Sequence, residues 1–244
     1  MQTYLTPEGL SKFSPEKAHP SGQHYGPQNN PKAAYAAMVS QMDQYVGQII
    51  AYLKEQKLYD NTIIIFTSDN GTHKEGGRTN QDISFFNSSG GLRGAKRDLY
   101  EGGIRIPFIV SWKGKIKPAS SNEFIGALWD IVPTINEIAG VITANQTDGN
   151  SFVNALQGKK QVNHNLLYWE FYEGGFKQAI WQNKWKAIRF YKGKTPIRTE
   201  LFDLSADKGE TINIAVEDEP KVKLLEALMD KERTTSTNPL FQIK

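Results

Sequence analysis

The residues of this sequence most suited to chemistry are Asp69 and Asn70, an acid and an amide that lie shortly after an apolar run. Residues 63–66, Ile-Ile-Ile-Phe, favour a β-strand. They are apolar without alternation, which is typical of a strand buried on both faces of a parallel sheet. In open α/β sheets, ligands bind just beyond the carboxyl ends of such strands. The pattern therefore makes the side-chain oxygens of Asp69 and Asn70 candidate ligands of a bound group.

The same residues are also compatible with an ordinary turn. Asn-Gly, here Asn70-Gly71, strongly indicates a β-hairpin when apolar runs flank it on both sides. Residues 72–79, Thr-His-Lys-Glu-Gly-Gly-Arg-Thr, offer no second strand that would complete a hairpin. The residues alone leave the ligand site and the turn as open alternatives.

Lys96 is the second candidate for chemistry, because it lies in a stretch with five glycines, at positions 90, 91, 94, 102 and 103. Glycine lets the backbone approach a ligand closely, and a lysine there offers a compact positive charge to an anionic group. The alternative is a solvated loop with a surface lysine. The stretch contains neither a Walker pattern nor G-x-G-x-x-G, so nucleotide binding is not supported.

A long helix is expected before these motifs, from about residue 31 to residue 57. Asn30 is placed to cap it, and Pro31 suits its first turn. Apolar residues recur along it at three- and four-residue spacing, which predicts one apolar stripe. The stripe comprises Tyr35, Met38, Met42, Val46, Ile49, Ile50 and Leu53.

Strands and a further helix follow the long helix. A strand is expected at 62–67 and another within 104–112, with the glycine-rich stretch between them. Residues 130–139 predict a helix that ends at Gly140. Helix, strand, loop, strand and helix in this order form an α/β pattern.

Beyond residue 160 the pattern changes to short, aromatic-rich runs. Four of them, NLLYWEFY, KQAIWQ, KWKAIRFY and TELFDLS, predict an antiparallel sheet. A last helix is expected at about 219–232, with one apolar side made by Val222, Leu224, Leu225, Leu228 and Met229. Two domains are therefore expected, at 1–160 and at 161–244, and the polar residues 1–30 predict an irregular segment.

Composition excludes several classes of protein. The chain has 244 residues, 39% of them apolar and 23% charged, as in an ordinary globular protein. A net charge of +3 with scattered basic residues argues against a nucleic-acid partner. The absence of cysteine excludes disulfides, thiolate metal sites and cysteine nucleophiles. The sequence has no run of about 18 apolar residues, so no membrane span is predicted. The first residues lack the pattern of a signal peptide.

Taken together, the motifs strongly resemble the sulfatase family of the alkaline-phosphatase superfamily. The resemblance rests on IIIFTSDNGTHKEGG, then FFNSSGGLRGAKRDLYEGGIRIPFIVSWKGKI, then ALWDIVPTINEIAG. It continues through DGNSFVNALQGK, LLYWEFYEGGFKQAIWQNKWKAIR and ELFDLSADKGETINIA, and it includes AAYAAMVSQMDQYVGQI on the long helix. It implies an α/β fold, the C-terminal part of an alkaline-phosphatase-like parallel-sheet domain, followed by a small antiparallel sheet with a C-terminal helix.

The resemblance implies roles for four residues. In sulfatases an Asp-Asn pair at a strand end binds a divalent metal, usually calcium; Asp69 and Asn70 match it, with hard oxygens suited to Ca²⁺ or Mg²⁺. Lys96 matches a lysine that contacts sulfate, where it would offset charge on the ester oxygens as the S–O bond breaks. His73 resembles a histidine beside the substrate, either a proton donor to the leaving alcohol or only a hydrogen-bond partner.

Other polar residues near these motifs are expected to be structural. The Tyr-Glu-Gly-Gly motif at 100–103 is a family marker that is expected to brace the loop, and Arg93 is expected in a structural ion pair. Glu170 and Glu173 are candidates for lining a substrate cleft, whereas the aromatic residues around them are expected to pack the sheet against a helix. No role is expected for His19, His24 or His164.

The sequence also departs from the family pattern. Sulfatases use a formylglycine made from Cys or Ser within Cys/Ser-x-Pro/Ala-x-Arg, and the nearest string here, residues 194–198, has lysine at the nucleophile position. The family's early Asp-Asp metal pair and the Lys and His residues near the nucleophile are also missing, and all would lie before Met1. Ca²⁺ takes about six to eight oxygens, and the recognisable site supplies two residues. The chain is therefore expected to be the C-terminal portion of a sulfatase, inactive by itself.

The expected function is that of a metal-dependent sulfatase, periplasmic or secreted, which hydrolyses sulfate monoesters of carbohydrates or an aryl sulfate. In the whole enzyme a hydrated formylglycine on the N-terminal part would attack sulfur. Two alternatives stay open: a phosphoester hydrolase of the same superfamily, or a catalytically inert fragment or binding module. An uncovered sheet edge and uncovered apolar surface would further predict self-association.

Overall fold

The computed structural model describes residues 28–142 and 147–242, together with residues 6, 8, 10 and 12. The predicted irregular segment at 1–30 therefore lies almost wholly outside the described residues, as do His19 and His24. The helices are α1 (Pro31–Glu55), α2 (Asn80–Phe86), α3 (Glu101–Ile104), α4 (Ile131–Ala139), α5 (Val153–Leu156) and α6 (Glu219–Glu232). The strands are β1 (Ile63–Thr67), β2 (Phe108–Trp112), β3 (Leu167–Phe171), β4 (Lys177–Gln182), β5 (Trp185–Lys192) and β6 (Thr195–Asp203).

The chain divides into two compact units that interleave along the sequence. The first unit comprises residues 1–64, 73–88 and 111–113. The second unit comprises residues 65–72, 89–110 and 114–244. The expected division at residue 160 into an α/β domain and an antiparallel domain stays a prediction.

Helix α1 begins at Pro31 as predicted, but its first turn and its apolar stripe differ from expectation. The side chain of Asn30 forms no capping hydrogen bond; instead its backbone carbonyl accepts from Ala34 N at 2.9 Å. The buried positions of the helix are alanines near its start, whereas Met38 is 68% exposed and Ile49 is 59% exposed. Throughout the described ranges, α1 included, no helix has the length and apolar character needed to cross a membrane.

Strands β1 and β2 pair in a two-stranded sheet. All five residues of β1 are half-buried, although the apolar run predicted a strand buried on both faces. The reason is that β2 is the only strand beside it in the part of the chain that the structure describes. Strand β2 starts at Phe108 rather than near residue 104, because α3 extends to Ile104 and Pro107 has no N–H to donate to a ladder.

Strands β3 to β6 form the predicted antiparallel sheet, with each strand beside the next one in sequence. Successive side chains of a strand point to opposite faces, so the sheet has two apolar faces. One face packs against α6 in a fully buried cluster of Ile180, Ala187, Leu201, Leu225 and Met229. The other face buries Ala179, Ile188 and Phe202 with Leu99. Tyr168 and Trp185 pack against the first cluster, which confirms the structural role expected for these aromatic residues.

Helices α4 and α6 match their predictions, whereas α2 and the two short helices α3 and α5 were not predicted. Helix α4 is followed by Gly140 with a φ of +67°, and α6 has the predicted bounds. Helix α2 lies inside the stretch that was expected to be a loop. It is preceded by a capping box, in which Thr79 N and Oγ1 donate to Asp82 Oδ2 at 2.8 and 2.9 Å. The Thr-x-x-Asp pattern was therefore the sequence feature that marked its start.

Alanine substitutions on the apolar side of α6 should distinguish its buried positions from its exposed ones. Leu225 is fully buried, so Leu225→Ala should lower the free energy of unfolding by about 2–5 kcal/mol. Leu224, placed on the same apolar side by the sequence, is 48% exposed, and Leu224→Ala should change the value by less than about 0.5 kcal/mol. Urea unfolding followed by circular dichroism measures both, and equal losses would contradict this packing.

Candidate functional site

Asp69 and Asn70 lie in a bend that directly follows β1, in the second unit. Ser68 Oγ donates to Asn70 O at 2.9 Å, and Asn70 Nδ2 donates to Gly71 O at 2.8 Å. Because the amide nitrogen of Asn70 is used inside the bend, its Oδ1 atom is the one left for a ligand. The carboxylate of Asp69 is on an exposed side chain. The bend thus presents two hard oxygen donors side by side in sequence.

The hairpin interpretation of Asn70-Gly71 is wrong. A type I′ hairpin needs a positive φ at both central residues, and neither of these residues has one. The partner of β1 is β2, which begins at Phe108. Glycine is required at position 71 for another reason, since a Cβ there would overlap the backbone carbonyl of Gly102. Gly71 N also donates to Gly103 O at 2.9 Å, so two backbone segments lie in direct contact.

Lys96 is brought to the segment that follows Asn70. Its backbone N donates to Thr72 O at 2.6 Å, next to the contact between Gly71 and Gly103. The Lys96 side chain is half-buried. The two motifs that the sequence presented separately, the Asp-Asn pair and the glycine-rich lysine stretch, are therefore neighbours within the second unit.

The loop that carries Lys96, residues 93–103, is closed by glycines. A Cβ on Gly102 would lie 2.5 Å from Arg93 O, and a Cβ on Gly103 would lie 2.5 Å from Ala95 O. These distances are shorter than real Cβ contacts, so only glycine permits this packing. Gly102 N donates to Arg93 O at 2.7 Å and closes the loop on itself.

A buried ion cluster fastens the end of this loop to the antiparallel sheet. Lys186 of β5 is fully buried, and its Nζ lies 2.8 Å from Glu101 Oε1 and 2.9 Å from Glu210 Oε1. The second carboxylate oxygen of Glu210 accepts from Glu101 N at 2.5 Å. Burial raises the pKa of Glu210, while the charge of Lys186 opposes that rise. One cation therefore serves two carboxylates at the point where α3 meets β5.

A second polar group braces the start of the loop. Arg93 Nη1 donates to Glu210 O at 2.8 Å, and Nη2 donates to Tyr100 Oη at 3.0 Å. Tyr100 Oη donates to Glu200 Oε2 at 2.6 Å, and Arg93 lies 3.8 Å from the same carboxylate. Burial, together with Glu200, raises the pKa of the Tyr100 hydroxyl. The prediction that Arg93 forms a structural ion pair is confirmed.

Residue 97, next to Lys96, is held in a strained backbone conformation. Arg97 has a φ of +79°, in the left-handed region that residues other than glycine seldom adopt. Its side chain pairs with Glu173 at 2.7 Å, and its carbonyl accepts from Lys177 Nζ at 2.9 Å. Glu170, the other candidate for lining a cleft, pairs with Arg233 at 2.9 Å. Both of these glutamates are thus engaged in ion pairs.

His73 belongs to the first unit and is described there by itself. Glu75 N donates to His73 Nδ1 at 3.2 Å. Because Nδ1 accepts, the neutral ring carries its proton on Nε2, which is the donor that a hydrogen bond to a substrate oxygen would need. The predicted contact of His73 with substrate stays a prediction.

His164, for which the sequence predicted no role, lies in a buried network with Asp130. His164 Nε2 is 2.9 Å from both carboxylate oxygens of Asp130. The same carboxylate accepts from Ala127 N and from Asn150 N, each at 2.8 Å. Asp130 was expected only as the start of α4, and nothing in sequence links it to a residue 34 positions away. The network joins α4 to the segment before β3.

The donor set for a metal ion is incomplete within the described residues. In them, no group of three or more His, Cys, Asp and Glu side chains is placed to hold a metal ion. Asp69 and Asn70 fit Ca²⁺ or Mg²⁺ in ligand type but supply two of the about six to eight oxygens that calcium takes. Metal binding at this pair stays a prediction.

Two family models together match residues 9–237 of this chain. The family described as Sulfatase matches residues 9–141, and the family described as N-sulphoglucosamine sulphohydrolase, C-terminal, matches residues 94–237. An N-acetylgalactosamine-6-O-sulfatase of Bacteroides thetaiotaomicron is 30% identical over 219 residues, which cover 81% of this chain and 41% of that protein.

Solved structures show the same likeness. One, described as a complex with its substrate D-glucosamine-2-N,6-O-disulfate, is 27% identical with a TM-score of 0.66, over 82% of this chain and 39% of that one. A phosphonate monoester hydrolase of Agrobacterium radiobacter has a TM-score of 0.61 at 24% identity, over 81% of this chain and 40% of that one, a likeness of fold alone. The chain spans about two fifths of the length of these relatives.

Adding one methyl group at Gly71 should disrupt the contact that brings the two motifs together. Because a Cβ at Gly71 would overlap Gly102 O, Gly71→Ala should lower the free energy of unfolding by about 1–3 kcal/mol. The control is Gly47→Ala in α1, where a Cβ meets no atom within 4 Å; it should raise the value by about 0.5–1 kcal/mol. Thermal unfolding of both variants measures the effect, and the same sign for the two would contradict the close approach.

The contribution of the buried carboxyl of Glu210 to the free energy of unfolding should depend on pH. Its pKa is raised above the ordinary value of 4.5, so the folded chain binds its proton more tightly than the unfolded chain. Stability from this group is therefore present below pH 4.5 and is lost as the pH rises through the raised pKa. The free energy of unfolding of the unmodified chain minus that of Glu210→Gln should fall as the pH rises above 4.5. Urea titrations at several pH values measure this difference, and a rise would overturn the assignment.

Proposed function

The chain belongs to the sulfatase family, and we propose that it is part of a metal-dependent enzyme that hydrolyses sulfate monoesters of carbohydrates. The observation that carries the proposal is the hydrogen bond from Lys96 N to Thr72 O. This bond places the loop at residues 93–103, here called the lysine loop, beside the segment after Asn70. The choice of carbohydrate is supported by two relatives, an N-acetylgalactosamine-6-O-sulfatase and a protein solved with a sulfated glucosamine.

Each predicted site residue has a distinct task in this proposal. The ammonium of Lys96 would contact the sulfate oxygens and offset the charge that develops on them as the S–O bond breaks. Asp69 and Asn70 would hold a divalent cation, Ca²⁺ or Mg²⁺, through the carboxylate and Oδ1. A bound cation would supply further positive charge beside the sulfate oxygens. His73 would donate from Nε2 to the leaving alcohol or to a neighbouring substrate oxygen.

The proposal also covers what this sequence lacks. Two metal ligands are too few for calcium, and the sequence has no cysteine and no serine in the setting that yields formylglycine. We therefore place the nucleophile and the remaining ligands outside this chain, so that the chain alone has no turnover. We also propose a periplasmic or secreted location, in keeping with the bacterial carbohydrate sulfatase relative. We further propose self-association through the edge of β1 that pairs with no strand among the described residues.

The second candidate is a catalytically inert fragment or binding module. The count of two metal ligands within the described residues favours it, because two ligands do not complete the coordination that calcium requires. A phosphoester hydrolase of the same superfamily is the remaining alternative. It is distinguished by substrate preference.

The test combines turnover and binding measurements on the purified chain. Turnover of 4-nitrophenyl sulfate, 4-nitrophenyl phosphate and sulfated monosaccharides is assayed with added Ca²⁺ and again with chelator. Binding of N-acetylgalactosamine-6-sulfate is measured by calorimetry for the unmodified chain, Lys96→Ala and Asp69→Ala. The control is Lys113→Gln, an exposed lysine whose partner is Asp60. We expect no turnover, and binding weakened at least about tenfold by Lys96→Ala but not by the control.

Other outcomes assign the chain differently. Calcium-dependent sulfate hydrolysis that Lys96→Ala and Asp69→Ala abolish would keep the sulfatase and overturn the external nucleophile. Faster hydrolysis of the phosphate ester would favour the phosphoester hydrolase. A chain that neither binds nor turns over any of these compounds would favour the inert fragment.

A further inference from the structure

Arg78 has a buried guanidinium without a hydrogen-bond partner in the described part of the chain. It follows the 3₁₀ turn Glu75–Gly77 and precedes α2. Its Nε, Nη1 and Nη2 atoms are all buried, and none of them donates a hydrogen bond. A guanidinium stays charged in proteins and carries five N–H donors, and buried donors are normally satisfied. Such a group requires an explanation.

The guanidinium of Arg78 lies over an aromatic ring, and its nitrogen atoms donate no hydrogen bond. The guanidinium carbon lies 4.1 Å from the centroid of the Tyr35 ring. Tyr35 in turn packs on Phe86 of α2, with ring centroids 4.9 Å apart. A guanidinium stacked on an aromatic face keeps its N–H groups in the plane of the fork, where they match the two oxygens of a carboxylate, phosphate or sulfate. Stacking thus pre-orients the group for an oxyanion.

Two acidic residues lie near Arg78 in sequence, Glu75 and Asp82, and neither forms a hydrogen bond with its guanidinium. Asp82 accepts from Thr79 N and Thr79 Oγ1 in the capping box of α2, and it forms no ion pair with Arg78 within the described residues. A second cation lies between α1 and α2, where Lys32 Nζ of α1 is 4.5 Å from the ring centroid of Phe85 of α2. Burial raises the pKa of Asp82, but hydrogen bonds from Thr79 and the charges of Lys32 and Arg78 lower it overall. Asp82 therefore interacts with both cations through its charge, while the guanidinium of Arg78 donates no hydrogen bond to an oxyanion in the described part of the chain.

The position of Arg78 is compatible with a ligand that arrives from solvent. The residue as a whole is half-buried, so its side chain lies just below the surface of the first unit. Gly76 and Gly77, directly before it, have φ values of +66° and +80°, and glycine changes its backbone conformation at low cost. His73 lies five residues earlier in the same unit, within about 18 Å along an extended chain.

We propose that Arg78 binds a sulfate group, free or as an ester on a sugar, through paired hydrogen bonds from its guanidinium. Arg78 belongs to the first unit, whereas Lys96 belongs to the second. The existence of an oxyanion site is argued from the contacts of Arg78 alone. The choice of sulfate as the anion rests on the proposed function.

The first test needs no ligand. If the partner of the guanidinium is an external anion, the charge of Arg78 is unsatisfied in the ligand-free chain. Arg78→Met then removes this buried charge and keeps an apolar contact with Tyr35. The melting temperature of the ligand-free chain should then rise by about 2–4 °C. The control is Lys113→Gln, a cation of the same unit that is exposed and already paired. A fall in the melting temperature of Arg78→Met would show a structural role and overturn the proposal.

The second test measures binding at constant ionic strength by calorimetry, with sodium sulfate and with D-glucosamine-6-O-sulfate. We expect two binding events in the unmodified chain. Arg78→Met should lose one event, Lys96→Ala should lose the other, and Lys113→Gln should keep both. Arg78→Lys, which keeps the charge but not the planar fork, should weaken its event about tenfold. Binding of sulfate alone at Arg78 would identify the free anion, and binding of both compounds would identify the ester group as well.

The outcomes separate this inference from the proposed function. Binding lost entirely in Lys96→Ala and unchanged in Arg78→Met refutes the Arg78 site and leaves the proposed function standing. Binding lost only in Arg78→Met supports the Arg78 site and counts against sulfate contact by Lys96. A chain that binds neither compound refutes both.

Discussion

Gly71 and Gly102 approach so closely that their backbones touch, and the arrangement of the candidate site depends on this contact. A side chain at Gly71 would push the bend after β1 away from the loop at 93–103, and a side chain at Gly102 would overlap the carbonyls of Arg93 and Gly94 within that loop. With both glycines in place, Gly71 N reaches Gly103 O and Lys96 N reaches Thr72 O. The polar groups of the site are thus set by backbone hydrogen bonds, which vary less in geometry than contacts between long side chains.

The antiparallel sheet contributes rigidity rather than chemistry. Its second face covers Leu99, and its buried Lys186 holds Glu101 and Glu210 at the end of the lysine loop. A buried cation with two carboxylates is a weak source of net stability, because desolvation offsets most of the attraction. Any other docking of the loop would leave these charges buried and unpaired, which is strongly destabilising.

Local patterns allowed much of this structure to be predicted. Helix α6, Gly140 at the end of α4 and the four-stranded sheet follow from periodicity and turn residues, which act over a few positions. The hydrogen bond that joins the Lys96 loop to Thr72 and the pair Asp130–His164 depend on residues far apart in sequence. The exposure of Met38 on α1 and the unpaired guanidinium of Arg78 depend on which surfaces lack a neighbour, and no local pattern encodes that.

The order of strands in the antiparallel sheet has a consequence for how the chain assembles. Strands β3 to β6 pair with their sequence neighbours, so each pairing closes only a short loop and loses little chain entropy. The contact between Lys186 and Glu101 instead closes a loop of 85 residues. Since local contacts form faster than distant ones, the sheet is expected to form first and the lysine loop to dock on it afterwards. The candidate site would then be among the last parts of the molecule to acquire its native geometry.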